Sequence, residues 1–505
     1  MKRHLKTKKP NYSFYSWRIK ALWIFILFIG LVIIGRLFWL QVIKYDDYQH
    51  LATKQHDIYK QLEAERGIIY TQDTRMGKEG DENKYFPIAD NQAFYVIYAQ
   101  TYAVEYPEET AKKLNSVLHL PEKVVERIEG QLKKYNDPYE PLVHRVTEEK
   151  IAKVAELDLS GIKWEEENLR YYPEEKVGSN VVGFVGWVND KLKGQYGIEG
   201  YFNEELSGED GFMKSARDAT GSLIGVGDKH YKEPVDGVNI YLTIDNSIEA
   251  VACQKLDQAV KKYDATGGTV IVMDPNTGAI LAMCGNPNYD PNAHSKVGDI
   301  KAYTNPAIFD AYEPGSVFKP ITMAAALDEG KVTPETTYND TGQVKIGSHT
   351  IKNSDLEAHG EQTMVDVLKE SLNTGAIFAM RQAGIDAFRD YIEKFGFGKA
   401  TGIKLDGEVA GSISSLDKKG EIYAATASFG QGIMTTPLQM VNAYAAIANG
   451  GKLMKPYIVD RIVNSFGVGF LFGSGFLSSF SGLSMLGASL SGSVLRSSSV
   501  GIQNT

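Results

Sequence analysis

An α+β fold behind an N-terminal membrane helix is the class this sequence predicts, and three stretches predict it. Residues 21–42 are apolar apart from Arg36 and Gln41, just long enough to cross a bilayer as a helix. Residues 268–283 read as two β-branched, apolar strands joined by the turn Asp274-Pro275-Asn276-Thr277-Gly278. Residues 321–327 form an Ala-rich apolar run shortly after Pro314-Gly315, a strong helix former behind a helix breaker. Helices and an antiparallel hairpin alternating in this way pack as helices on a sheet.

Composition narrows the class. At 505 residues the chain has room for two or three domains, and its net charge of −9 argues against a nucleic-acid partner. The two cysteines, Cys253 and Cys284, have no metal-ligand spacing and no disulfide framework around them. We expect two unpaired core thiols, with a single bridge between them as the other possibility.

The basic tail 1–20 carries Lys2, Arg3, Lys6, Lys8, Lys9, Arg18 and Lys20. No small-residue cleavage site follows the apolar run, so 21–42 reads as an uncleaved anchor. Trp23 and Trp39 suit the two interfaces, and Arg36 can reach the headgroups. Positive charge before the span places the N-terminus in the cytoplasm and the rest outside.

From the anchor to residue 235 we expect an elongated α+β pedestal. Residues 45–59 have an amphipathic helical pattern, and Arg66–Tyr70 reads as a strand. Residues 73–84 are polar and expected in an exposed loop. Residues 111–134 read as a helix pair with Pro121 capping the second, and 148–157 as a further helix. Glycines crowd 178–227, but no Gly-Lys-Ser/Thr follows them, so they serve turns and close backbone approaches rather than phosphate. Gly197–Tyr201 reads as a turn entering a helix and 217–221 as a turn between strands. A second domain starts at 236. It opens with a strand over 239–244 and a helix through Tyr263 capped by Asp245 or Ser247.

Two constellations carry chemistry. Ser316 and Lys319 stand three apart at the start of the 317–327 helix, which puts hydroxyl and amine on one face. A lysine activates a serine only when its amine is neutral, and burial among Val317, Phe318, Ile321 and Met323 favours that form. A second Ser-x-x-Lys, Ser415–Lys418, lies in a polar stretch and reads as a solvated loop. Thr363–Asp366 is a capping box opening a helix to about Glu370, and another helix begins near Thr374. Between them, an extended Ser371-Leu372-Asn373 joint points a hydroxyl and an amide to one side and buries Leu372 on the other. Capping of the two helix ends explains the same residues without a site.

From the anchor to about residue 462 the chain resembles the class B penicillin-binding proteins, the D,D-transpeptidases that cross-link peptidoglycan. Tyr312-Glu-Pro-Gly-Ser316-Val-Phe-Lys319 is similar to the family's Ser-x-x-Lys motif with its flanks, and Ser371-Leu-Asn373 to its Ser-x-Asn motif. Arg66-Gly67, Gly197-Ile-Glu199-Gly200, Asp274–Gly278 and Gly430-Gln-Gly432 are supporting matches. The resemblance implies a fold like that of the serine β-lactamases for 236–462. It implies that Ser316 attacks a D-Ala-D-Ala carbonyl to form an acyl-enzyme and that Lys319 takes its proton. Ser371 relays a proton to the leaving group, Asn373 binds the peptide amide, and the Ser316 N–H supplies half of an oxyanion hole. An amine of a neighbouring stem peptide accepts the acyl group, β-lactams are trapped at Ser316, and no metal or organic cofactor takes part. The family also implies a membrane glycan polymerase and other wall-synthesis proteins as partners, at the outer face of the bacterial cell membrane.

The family's third motif, Lys-Thr-Gly or Lys-Ser-Gly, does not occur after residue 450; the last lysine is Lys455. Residues 463–505 turn abruptly rich in Ser, Gly, Phe and Leu. A second membrane segment, a low-complexity tail and an out-of-frame or truncated end all fit that composition, and the abruptness favours the last. Such an end predicts an incomplete catalytic domain of low activity. An inactive membrane-anchored scaffold, or a protein that hydrolyses or senses β-lactams, is then the alternative function.

Overall fold

A computed structural model of the chain describes residues 13–39, 44, 57–77, 82–134, 136–188, 191–216, 230–464 and 469–471. A helix covers Ser13–Phe38, and within it Lys20–Phe38 is long and apolar enough to span a membrane. Its apolar side chains stand exposed, as a helix meant for lipid requires. Arg36 lies over the Trp39 ring at 4.7 Å.

The pedestal is built on one long strand, Tyr85–Ala99. It pairs antiparallel with Ile162–Tyr171 along ten positions, from Asp90↔Tyr171 to Ala99↔Ile162. Its other partners are Glu140–Val146 and Ile69–Gln72. Helices Pro107–Leu118, Glu122–Leu132 and Glu148–Glu156 bury Leu114, Leu118, Ile128, Leu132 and Val154 against Ile97 and Leu142. Local chemistry sets their ends. Pro107 and two acids open the first helix, His119 closes it in the left-handed region, and Pro121 caps the second as expected.

The sheet crosses the boundary expected near residue 235. Ile69–Gln72 pairs parallel with Asn239–Asp245, which pairs antiparallel with Val459–Val463. Gly469–Leu471 lies along the outer side of that last strand. Asp245 caps helix Asn246–Tyr263 through the N–H groups of Ser247 and Ile248. Strands Gly268–Met273 and Ile280–Asn286 form the expected hairpin, with Ala279 bridged parallel to Tyr457. Beyond it, helices Lys319–Asp328, Asn373–Ala383, Ile385–Lys394 and Pro437–Ala448 surround a core of Phe318, Ile321, Ile377, Phe388 and Phe397, and two small hairpin-like pairings lie between residues 337 and 363.

A buried acid ties distant parts of the pedestal together. Glu199 is fully buried, and its carboxylate accepts from Arg66 Nε at 2.8 Å and from Arg170 Nε at 2.6 Å. Burial alone would raise its pKa, but the Arg170 and Arg66 guanidiniums hold it below the ordinary carboxylate value. Arg66 continues to Ser207 Oγ at 2.7 Å. This gives Arg66-Gly67 and Gly197-Ile-Glu199-Gly200 a shared physical role that neither stretch reveals alone.

Several expectations change. Residues 45–56 lie outside the described residues, and Asp57–Leu62 is not helical but a strand paired with Gly211–Ala216, because cross-strand pairing outweighs a local pattern. Asp73 and Lys84, expected in an exposed loop, are buried. Asp73 accepts from Arg75, and Ser247 binds it from the catalytic side. Cys253 and Cys284 are not free thiols. Helix Asn246–Tyr263 packs on strand Ile280–Asn286, brings their Cα atoms to 5.4 Å, and they form a disulfide. That contact joins positions 31 apart, beyond any local signal. The turn expected at 217–221 and the segment 472–505 lie outside the described residues.

Breaking the Glu199 cluster should be costly, because it strands two buried guanidiniums. Glu199→Ala is expected to lower unfolding free energy by about 3–5 kcal/mol in urea titrations of the solubilised protein. A loss below about 1 kcal/mol would show that the ion cluster does not hold the pedestal together.

Candidate active site

Gly315–Phe318 is a 3-10 turn that runs straight into helix Lys319–Asp328. The helix therefore starts tighter than an α-helical reading of Ser316 implies, and Ser316 lies in the 3-10 turn with its side chain exposed. Phe318 and Lys319 point inward; Val317, expected to help bury the lysine, is half exposed.

The turn is held from behind by the Gly430–Gly432 segment. Gly315, at φ +64°, donates its N–H to Gly430 O at 2.9 Å. Tyr312 and Thr435 exchange backbone hydrogen bonds at 2.9 Å each, and Gly432 N–H donates to Glu313 Oε1 at 2.9 Å. A Cβ on Gly430 would stand 2.2 Å from Gly315 O, so the approach admits only glycine. Tyr444 Oη donates to Val317 O at 2.7 Å from helix Pro437–Ala448. Tyr444 was not predicted, and Glu313 only as a flank of the Ser316 motif; their partners are far away in sequence.

Lys319 is 2% exposed, and burial depresses its pKa from 10.5 to about 8. That corresponds to about 3 kcal/mol against the charged form. Its Nζ donates to the Ser371 carbonyl oxygen and, at 3.0 Å, to Ser371 Oγ. The two motifs thus meet through the lysine, although 52 positions separate them.

The joint between the second pair of helices is not extended throughout. Ser371 sits at φ +58°, a left-handed conformation unusual for serine, while Leu372 is extended and 1% exposed. The turn aims the Ser371 carbonyl and hydroxyl at the same amine. Asn373 opens helix Asn373–Ala383, and its Nδ2 donates to Lys352 O at 2.9 Å.

A buried carboxylate behind this joint was missed. Asp340 accepts from Thr374 Oγ1 at 2.7 Å and from Asn353 Nδ2 at 2.8 Å, and pairs with His359 Nδ1 at 2.8 Å. Burial would raise its pKa, but hydrogen bonds from Thr374 and His359 hold it below the ordinary value. His359 is raised by its bond to Asp340, and its Nε2 faces Asp355 Oδ2 at 3.1 Å. These residues come from separate strands and loops, with no spacing that links them.

The second Ser-x-x-Lys is a short surface turn, Ser414–Asp417, with Lys418 exposed over the Tyr423 ring at 5.4 Å. Among the described residues, Glu249, Cys253 and Cys284 bring potential metal-ligand atoms within 4.8 Å of one another, but both sulfurs are spent on the disulfide.

A seryl hydroxyl on a clamped turn, a desolvated lysine three residues on and a second serine bound to that lysine make an acyl-transfer arrangement. The comparisons agree with this class. Residues 268–478 match the model of the penicillin binding protein transpeptidase domain, and residues 61–242 that of the penicillin-binding protein dimerisation domain. Stage V sporulation protein D of Bacillus subtilis is 32% identical over 87% of this chain and 67% of its own length. Peptidoglycan D,D-transpeptidase FtsI of Escherichia coli is 31% identical over 92% of this chain and 76% of its own. Among solved structures, penicillin binding protein 2X of Streptococcus thermophilus aligns with a TM-score of 0.64 at 22% identity, over 82% of this chain and 63% of that one. This chain belongs to the penicillin-binding proteins, in their class B branch.

The Lys319 environment generates a pH dependence. If the neutral amine is the base, acylation of Ser316 rises with pH and levels off above about 8. Lys319→Met should remove that rise and cost about 10²–10⁴-fold in rate, followed as penicillin acylation kinetics. Stability should also rise from about pH 8 towards 10.5, where the unfolded chain binds more protons than the folded one. A flat acylation profile in the unaltered protein would exclude Lys319 as the titrating base.

Proposed function

We propose that this chain is a membrane-anchored serine D,D-transpeptidase that cross-links peptidoglycan stem peptides through an acyl-Ser316 intermediate. The observation that carries the reading is the buried Lys319 amine, one turn from Ser316 and 3.0 Å from Ser371 Oγ. A neutral lysine amine has two N–H groups and one lone pair. Donation to the Ser371 carbonyl and hydroxyl uses both N–H groups and leaves the lone pair for the Ser316 proton.

Ser316 Oγ then bonds to the penultimate D-Ala carbonyl carbon as its proton passes to Lys319. The Ser316 backbone N–H steadies the developing oxyanion. Collapse breaks the peptide C–N bond, and the proton reaches the departing D-Ala amine from Lys319 through the Ser371 hydroxyl. An amine of a second stem peptide attacks the ester, loses its proton along the same path and releases Ser316. Asn373 holds the donor peptide; with Nδ2 on Lys352 O, its Oδ1 is the atom that accepts a substrate N–H. A β-lactam acylates Ser316 in the same way, but its leaving amine stays tethered and deacylation is slow.

The basic tail keeps the N-terminus in the cytoplasm and sets the catalytic half outside. A membrane glycan polymerase supplies the strands. The relatives' names, which include peptidoglycan D,D-transpeptidases, support the activity.

Labelling of membranes with a fluorescent penicillin tests the reading. A covalent band should form, vanish with Ser316→Ala, and form roughly a hundredfold or more slowly with Ser371→Ala. No band from folded, inserted protein, or a band that survives Ser316→Ala, would overturn it.

A further inference from the structure

Helix Asn373–Ala383 begins without a cap of its own. The residue before it is Leu372, whose side chain has no oxygen to accept the free N–H groups of a first turn. The acceptors come from residues 340–353 instead. Asn353 Oδ1 accepts the Thr374 N–H at 3.2 Å, and Lys352 O accepts Asn373 Nδ2 at 2.9 Å. Thr374 Oγ1 donates to Asp340 Oδ1 at 2.7 Å. The start of the helix is thus fastened at three points by residues 21 to 34 positions upstream.

Asp340 is the hub of that fastening. It is 2% exposed, and four donors besides Thr374 converge on its carboxylate. The Gly342 N–H reaches Oδ1 at 3.0 Å. Asn353 Nδ2, the His359 backbone N–H and His359 Nδ1 reach Oδ2 at 2.8, 3.1 and 2.8 Å. The other ring nitrogen of His359 faces Asp355 Oδ2 at 3.1 Å, which favours the ring with a proton on each nitrogen. A buried carboxylate bonded on all sides is fixed in place, because any displacement strands donors where no water can replace the loss.

What this hub holds is the Ser371 joint. The left-handed backbone of Ser371 persists only if the chain on each side is fixed. The Leu372 N–H donates to Val367 O at 3.0 Å, which ties the joint to the helix before it, and the Thr374 fastening ties it to the helix after. Burial, and no neighbouring charge, lowers the Lys319 pKa, so Asp340 reaches that amine through position rather than through its field. We propose that Asp340 is a positioning residue for acylation: acting through Thr374, it keeps the Ser371 carbonyl and hydroxyl on the Lys319 amine. The consequence for acylation rests on the transpeptidase reading, and the clamp on Ser371 does not.

Two measurements on the full chain in detergent micelles test this. The first is amide hydrogen exchange read by mass spectrometry. Asp340→Asn keeps the side chain's shape but turns a donor towards groups that themselves donate. Residues 371–376 should then exchange about tenfold faster or more, while strand Tyr85–Ala99 exchanges as before. Thr374→Val should do the same, and Thr374→Ser, which keeps the hydroxyl, should match the unaltered chain. Thr374→Val removes one hydroxyl at nearly constant volume and carries the test should Asp340→Asn fail to fold. The second measurement is penicillin acylation. The rate constant at saturating penicillin should fall about tenfold or more in both variants, with the reversible affinity and the fraction finally labelled unchanged. A merely structural support would lower the labelled fraction and leave the rate constant of the rest intact, which would overturn the proposal. So would unchanged exchange at 371–376, equal behaviour of Thr374→Val and Thr374→Ser, or slowing that comes wholly from weaker reversible binding. If the unaltered chain fails to label at Ser316 while the exchange result holds, the transpeptidase reading falls and the Asp340 clamp stands.

Discussion

A lysine amine held out of water is the interaction on which the catalytic half depends. Lys319 cannot face the core of Phe318, Ile321 and Phe397 without acceptors for its N–H groups, and Ser371 supplies two from one residue. That supply depends on a left-handed serine, which is unfavourable by itself. The turn is kept because its neighbours are fixed: Leu372 is buried, and Thr374 is bound to Asp340. The Asp340 cluster therefore serves the lysine at one remove, through the position of the Asn373–Ala383 helix.

Glu199 works by a different balance. Its desolvation is offset by two guanidiniums, an arrangement worth little beside an apolar core of the same shape but strongly directional. It sets where Arg66, Arg170 and the Gly197–Tyr201 helix stand relative to one another. The parallel pairing of Ile69–Gln72 and Asn239–Asp245 makes pedestal and catalytic half share a sheet.

Much of the fold was legible where the physics is local. Capping residues announced the helices at Asp245 and Thr363, and a Pro-Asn-Thr-Gly turn announced the hairpin after Met273. The apolar run announced the anchor helix. Ser316 and Lys319 were legible because one turn of helix joins them. From the residues alone Ser371 and Asn373 were legible as polar residues at a helix joint, which capping also explains; their resemblance to the Ser-x-Asn motif singled them out. Asp340, Asn353 and His359 were not legible, because three separate segments must fold before they touch.

The sequence alone determined which side chains are available, which segments turn or span, and that a serine and a lysine share a face, since these follow from periodicity and short-range sterics. Tertiary structure decided the lowered pKa of that lysine, the partner it holds and the Cys253–Cys284 bridge. Each of those depends on removal from water or on contact between distant segments, and both exist only once the chain has closed on itself.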